Sequence, residues 1–190
     1  MDRLPLPIKR ALIWVGTAGS GLACSLAPWV RVPSLELMGL TPDWPLIWVV
    51  CWSVRRNMWQ GAVAGIVLGW IQDGLSYPQP THSLSLAVVG ILTARLQKQR
   101  YIQEDFISIA LIVFGMVVVA QTILALQWTF LTLIQWQPTL ANSVGPPSLS
   151  VIWANHQRTA LTSAILSSLW APILYLPLRQ WWQQDIPGDV

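Results

Sequence analysis

The sequence predicts an all-α, polytopic integral membrane protein, a bundle of about six transmembrane helices with almost no soluble part. Three observations carry that expectation. First, 54% of the 190 residues are hydrophobic and only 10% are charged, against roughly 25% charged in soluble chains. So few charges cannot cover a water-soluble globule, and a mean hydropathy of +0.51 points to lipid as the surrounding solvent. Second, the apolar residues fall into six runs punctuated by charges, Pro and Gly. Third, the basic residues sort by side. With the N-terminus inside, Arg3, Lys9, Arg10, Arg55, Arg56, Arg95, Lys98, Arg100 and Arg179 lie in inner segments. Only Arg31 and Arg158 fall outside, so nine of the eleven Lys and Arg share one face. The positive-inside rule then places both termini in the cytoplasm.

A net charge of +3 and a pI near 9.2 do not mark a nucleic-acid binder. The basic residues are scattered between apolar runs and form no continuous stripe.

The first span is expected over residues 11–30. Arg3, Lys9 and Arg10 ahead of it superficially resemble a signal peptide. The run is about 20 residues, enough to cross, and further spans follow, so a retained helix is expected. Gly19, Ala23 and Ala27 give it a small face for packing.

The second span, 44–54, is short. Trp44, Trp48 and Trp52 recur every four residues and share one helical face, a lipid-facing or packing stripe rather than a ligand cage. Cys24 and Cys51 lie within spans without a CxxC or Cys/His spacing, so they read as small apolar packing residues.

The third span, 58–75, is the most informative. Gly61, Gly65, Gly69 and Asp73 are spaced by four and line one face. Glycines so placed form a flat groove where another helix approaches backbone to backbone, within this bundle or in a partner. Asp73 lies about 22 Å along the helix, near the outer boundary. His82 is within reach across the short turn containing Pro78 and Pro80. Three roles are open to the acid: a polar latch fixing the third and fourth spans, a solvated interfacial carboxylate, or an ion or ligand site.

The fourth span, 83–96, is again short. The fifth is expected over 107–126, with apolar character persisting to Ile134. An irregular outer loop over 135–157 is expected from Pro138, Gly145, Pro146 and Pro147 amid Ser, Thr and Asn. The sixth span, 159–178, carries the small residues Ala160, Ala164 and Ser168. Trp29, Trp44, Trp136 and Trp153 fall at the outer boundary and Trp59, Trp181 and Trp182 at the inner one, as an aromatic belt.

Catalytic patterns are missing from the sequence. There is no HExxH, GxSxG or Walker loop, and His82 and His156 have no nucleophile at recognisable spacing. Neither enzymatic activity nor a cofactor or metal is expected.

The glycines of 61–75 lead into Gln72-Asp73, and after the Pro-containing turn come His82-Ser83-Leu84 and a helix with Gly90. Asp43-Trp44-Pro45 opens the second span. In these features, most closely over 42–96, the chain resembles the rod shape-determining MreD family of bacteria. The resemblance implies a non-enzymatic scaffold in the cytoplasmic (inner) membrane. It implies partnership with MreC, the actin-like MreB, and RodA with its transpeptidase in peptidoglycan synthesis. That family is in turn similar to the six-helix substrate-binding subunits of energy-coupling-factor vitamin transporters. A vitamin-carrier role is therefore the alternative, with an outer pocket near Asp73, His82 and the long loop.

Overall fold

A helix that is apolar all the way round has no face to offer water and must be surrounded by lipid or by protein. The segment Trp44–Ser53 is such a helix, and in the computed structural model it forms the centre of the fold. The structure describes residues 6–27, 41–75, 82–98, 106–134 and 149–182. These form six α-helices and no strand: α1 (Leu6–Leu26), α2 (Trp44–Ser53), α3 (Met58–Leu75), α4 (His82–Lys98), α5 (Phe106–Ile134) and α6 (Leu149–Trp182). Helices α3 and α4 pack as one close pair and α5 and α6 as another, joined through α4 and α5. Helix α2 touches all five others.

Every residue of α2 from Pro45 to Ser53 is buried. Its N-terminus is set by Asp43, whose side chain accepts the Leu46 backbone N–H at 3.3 Å, with Pro45 in the first turn. Its far end turns directly into α3. There the Gln60 side chain reaches back to the Asn57 backbone N–H at 3.4 Å, the returning half of a capping box. At 10 residues, α2 rises only about 15 Å, half the thickness of a bilayer core.

Two stretches among the described residues are long and apolar enough to cross a membrane, Phe106–Leu131 in α5 and His156–Gln180 in α6. Buried hydroxyls are handled as an apolar medium requires. Ser25, Thr93, Thr122 and Thr129 each donate to the carbonyl four residues back, so these four hydroxyls are satisfied within their own helices. Helix α6 contains Pro172 and Pro177. Each removes a backbone N–H from the helical ladder, a defect that neighbouring helices accommodate in membrane proteins.

Several expectations shift. Helix α1 begins five residues before the expected span. Its packed face is Thr17, Gly21 and Ser25, all buried, whereas Gly19 and Ala23 are exposed. The reason is Trp48, which fills the space against Gly21 and leaves no neighbour within 4 Å of a side chain at Gly19. Of the two readings open for the tryptophan stripe of α2, lipid-facing or packing, the structure has packing: Trp48 is 5% and Trp52 is 7% exposed. Helix α6 starts at Leu149, so residues 149–157 are helical where an irregular loop is expected. Residues 28–30, 135–148, Arg3, Arg31, Arg100, Trp29 and Trp136 of the sequence reading lie outside the described residues.

Candidate functional site: the glycine face and its aspartate

Glycine lacks a Cβ, so a row of glycines lets a neighbouring backbone come closer than any other residue allows. In α3 that row faces α4, and the two helices run antiparallel in a fixed register. A Cβ placed on Gly61 would lie 2.6 Å from the Gly90 carbonyl oxygen and 2.9 Å from the Ser53 hydroxyl. One placed on Gly65 would strike the Leu86 carbonyl, and one on Gly69 the Ser83 backbone. The α4 side is small where it must be, at Ser83, Ala87 and Gly90. Gly90 is as constrained as its partner, for a Cβ there would strike the Gly61 carbonyl.

Asp73 stands one turn beyond Gly69 on the same face, and it meets the first residues of α4. The first backbone N–H groups of a helix lack intrahelical acceptors and carry the positive end of its dipole. Asp73 satisfies two of them. Its Oδ1 accepts the His82 backbone N–H at 2.9 Å and its Oδ2 accepts the Ser83 backbone N–H at 3.2 Å. The His82 ring adds a third contact, Nδ1 to Oδ1, at 2.9 Å. The carboxylate side chain is 8% exposed and the imidazole 30%. The preceding helix thus supplies a cap for α4, so Asp73 fixes helix start and helix pairing together.

All five residues singled out in the sequence, Gly61, Gly65, Gly69, Asp73 and His82, therefore fall along one seam between α3 and α4. Both Asp73 oxygens are committed to α4. Among the described residues no group of three or more His, Cys, Asp or Glu is placed to hold a metal.

Two contributors escape sequence reasoning. Ser167 of α6, fully buried, accepts the Asp43 backbone N–H at 3.0 Å and ties α6 to the start of α2. Burial at the start of α2 pushes the Asp43 carboxyl up, opposed by the Leu46 backbone N–H and, more weakly, by His82. Ser167 carries no local signal. It is one hydroxyl among many, and its partner lies 124 residues away in the chain. The second is the small face of α4, whose Ser83, Ala87 and Gly90 show a four-then-three spacing legible only once α3 is known to lie against it.

A family model described as rod shape-determining protein MreD matches residues 8–184 of the chain. No curated protein and no solved structure matches it.

Proposed function

The chain belongs to the MreD family of rod shape-determining proteins, and from that membership we propose that it is a non-enzymatic scaffold of the bacterial cell-elongation complex. In this reading all six helices lie in the cytoplasmic membrane with both termini inside. The chain holds MreC on the outer side and communicates with MreB, RodA and its transpeptidase to organise peptidoglycan synthesis. Its role in determining rod shape follows from the family.

The observation that carries the scaffold reading is the use made of the polar and glycine residues. The residues with the most distinctive chemistry, Asp73 and His82, fasten α4 to α3. The glycine face is filled by α4. What remains available to partners is a set of exposed apolar faces, including Ile107 and Leu111 on α5 and Leu161, Ile165 and Leu169 on α6. Such a molecule offers surfaces rather than a reaction site. The stretch 135–157 is the outer segment proposed to meet MreC, and the basic segments at Arg55-Arg56 and Arg95–Arg100 set the topology.

The vitamin-carrier alternative calls for a ligand site near Asp73 and His82. The engagement of both Asp73 oxygens by α4 favours the scaffold instead.

Deleting the gene in a rod-shaped host tests the proposal, with rounded cells as the expected result. MreC is expected to copurify in detergent. Unchanged cell shape, or copurification of an ATPase module and a vitamin, overturns it.

A further inference from the structure

Between α1 and α3 the bundle is open. Over α2 lies a lateral groove of about 540 Å³, lined by Trp14, Gly21, Trp48, Trp52, Ala64 and Leu68, among others. Its floor is buried: Trp48, Trp52 and Leu68 are each under 10% exposed. Its rims are not, with Trp14 at 62% and Val63 at 58%. The groove therefore opens sideways, toward whatever solvates the bundle. Its wall is almost entirely carbon. The Trp48 indole N–H, the most conspicuous donor nearby, is already given to Ser20 Oγ at 2.9 Å.

Two features of the groove select its occupant. The first is length. From Trp59 to Ile71 the groove follows α3 for thirteen residues, about 18 Å of rise, close to one leaflet of a hydrocarbon core about 30 Å thick. The second is charge. Arg55 and Arg56 form the turn between α2 and α3, at one mouth of the groove, and the Arg56 guanidinium lies 4.4 Å over the ring of Trp52, which lines the groove.

We propose that this groove binds an acyl chain of an anionic phospholipid from the cytoplasmic leaflet, with the phosphate headgroup held at Arg55 and Arg56. Basic clusters between transmembrane helices on the cytoplasmic side suit such headgroups. Trp59, 82% exposed at the same mouth, sits where an amphipathic ring favours the membrane boundary. The leaflet rests on the topology proposed above, whereas the lipid site is read in purified protein. Failure of lipid binding is therefore distinguishable from failure of the scaffold role, which is read in cell shape.

The test is purification from vesicles of mixed phosphatidylglycerol and phosphatidylcholine, followed by mass measurement of lipid retained in detergent. The wild-type chain is expected to retain phosphatidylglycerol preferentially. Arg55→Gln and Arg56→Gln should each lower that preference about fivefold at low salt. Ala64→Phe, which fills the groove, should abolish retention of either lipid while the circular dichroism stays native. If Ala64→Phe unfolds the chain, Ala18→Leu fills the opposite wall and serves in its place. Equal retention of both lipids, unaltered by these substitutions, would mean a nonspecific lipid annulus and overturn the proposal. So would a photo-crosslinker at Val63 that captures a protein segment rather than lipid in cells.

Discussion

Gly61 and Gly90 meet backbone to backbone, each occupying the space where a side chain on the other would have to go. A Cβ on Gly61 falls 2.6 Å from the Gly90 carbonyl oxygen, and the reverse substitution meets the Gly61 carbonyl. The obstacles are main-chain atoms within helices, which have no rotamer to escape into. The α3–α4 seam is therefore intolerant of even a methyl group.

Gly61→Ala, Gly65→Ala and Gly90→Ala should each destabilise the protein by about 1–3 kcal/mol, the usual cost of overpacking a tight site. Gly74→Ala and Gly115→Ala are the controls, because nothing lies within 4 Å of a Cβ there. Replacing a helical glycine without a clash gains about 0.5–1 kcal/mol. Thermal unfolding in detergent reads the contrast. Equal effects at the two groups of sites would refute the close approach.

Asp73→Ala removes the acceptor for two backbone N–H groups and for the His82 ring. Loss of a helix cap costs about 0.5–2 kcal/mol. Hydrogen exchange at His82 and Ser83 should accelerate selectively, while α5 and α6 stay protected. Asp73→Asn keeps one acceptor oxygen and should fall between. Uniform acceleration along α4 without a maximum at its start would show that Asp73 is not its cap.

Trp48→Phe and Ser20→Ala break the same hydrogen bond from opposite ends. Each should cost about 0.5–1.5 kcal/mol for the bond itself. Because one interaction is being removed twice, the double variant should be less destabilised than the sum of the single ones. Strict additivity in a denaturation cycle would mean that the bond does not join α1 to α2.

Ser167→Ala should loosen the start of α2 rather than α6, where the serine resides. The Asp43 backbone N–H loses its acceptor, and an unsatisfied buried donor costs about 1–3 kcal/mol. Ser167→Thr retains the hydroxyl and should restore most of the loss. The check is amide exchange at Asp43 in the three proteins. A change confined to α6 would contradict the tie.

The α3 seam was legible because its signal is local. Four residues at a spacing of four define one helical face whatever the rest of the chain does, and a carboxylate at the end of such a face needs a partner nearby in sequence. His82 is the nearest. The α1 face was not legible, because Gly19-Ala23-Ala27 and Thr17-Gly21-Ser25 both repeat with the same period. Only the bulk of Trp48 against Gly21 decides between them. The reading of 149–157 as loop failed for a related reason. Its polar residues argue against a buried segment, yet a helix that extends past an apolar stretch needs no burial there, as the exposed Val151 illustrates.

Composition and periodicity by themselves determined that the chain is helical, largely apolar, and built around a glycine–aspartate face, since these follow from the solvent it requires and from the pitch of a helix. Tertiary structure alone decided which apolar helix lies at the centre. All the helices are apolar, and lipid and protein interior are nearly equivalent to a hydrocarbon side chain, so hydropathy cannot rank them. The choice of α2 rests on shape: its tryptophans pack against Trp14 of α1 and Trp170 of α6, and Ser167 and Ser20 hold it there through contacts that no local pattern encodes.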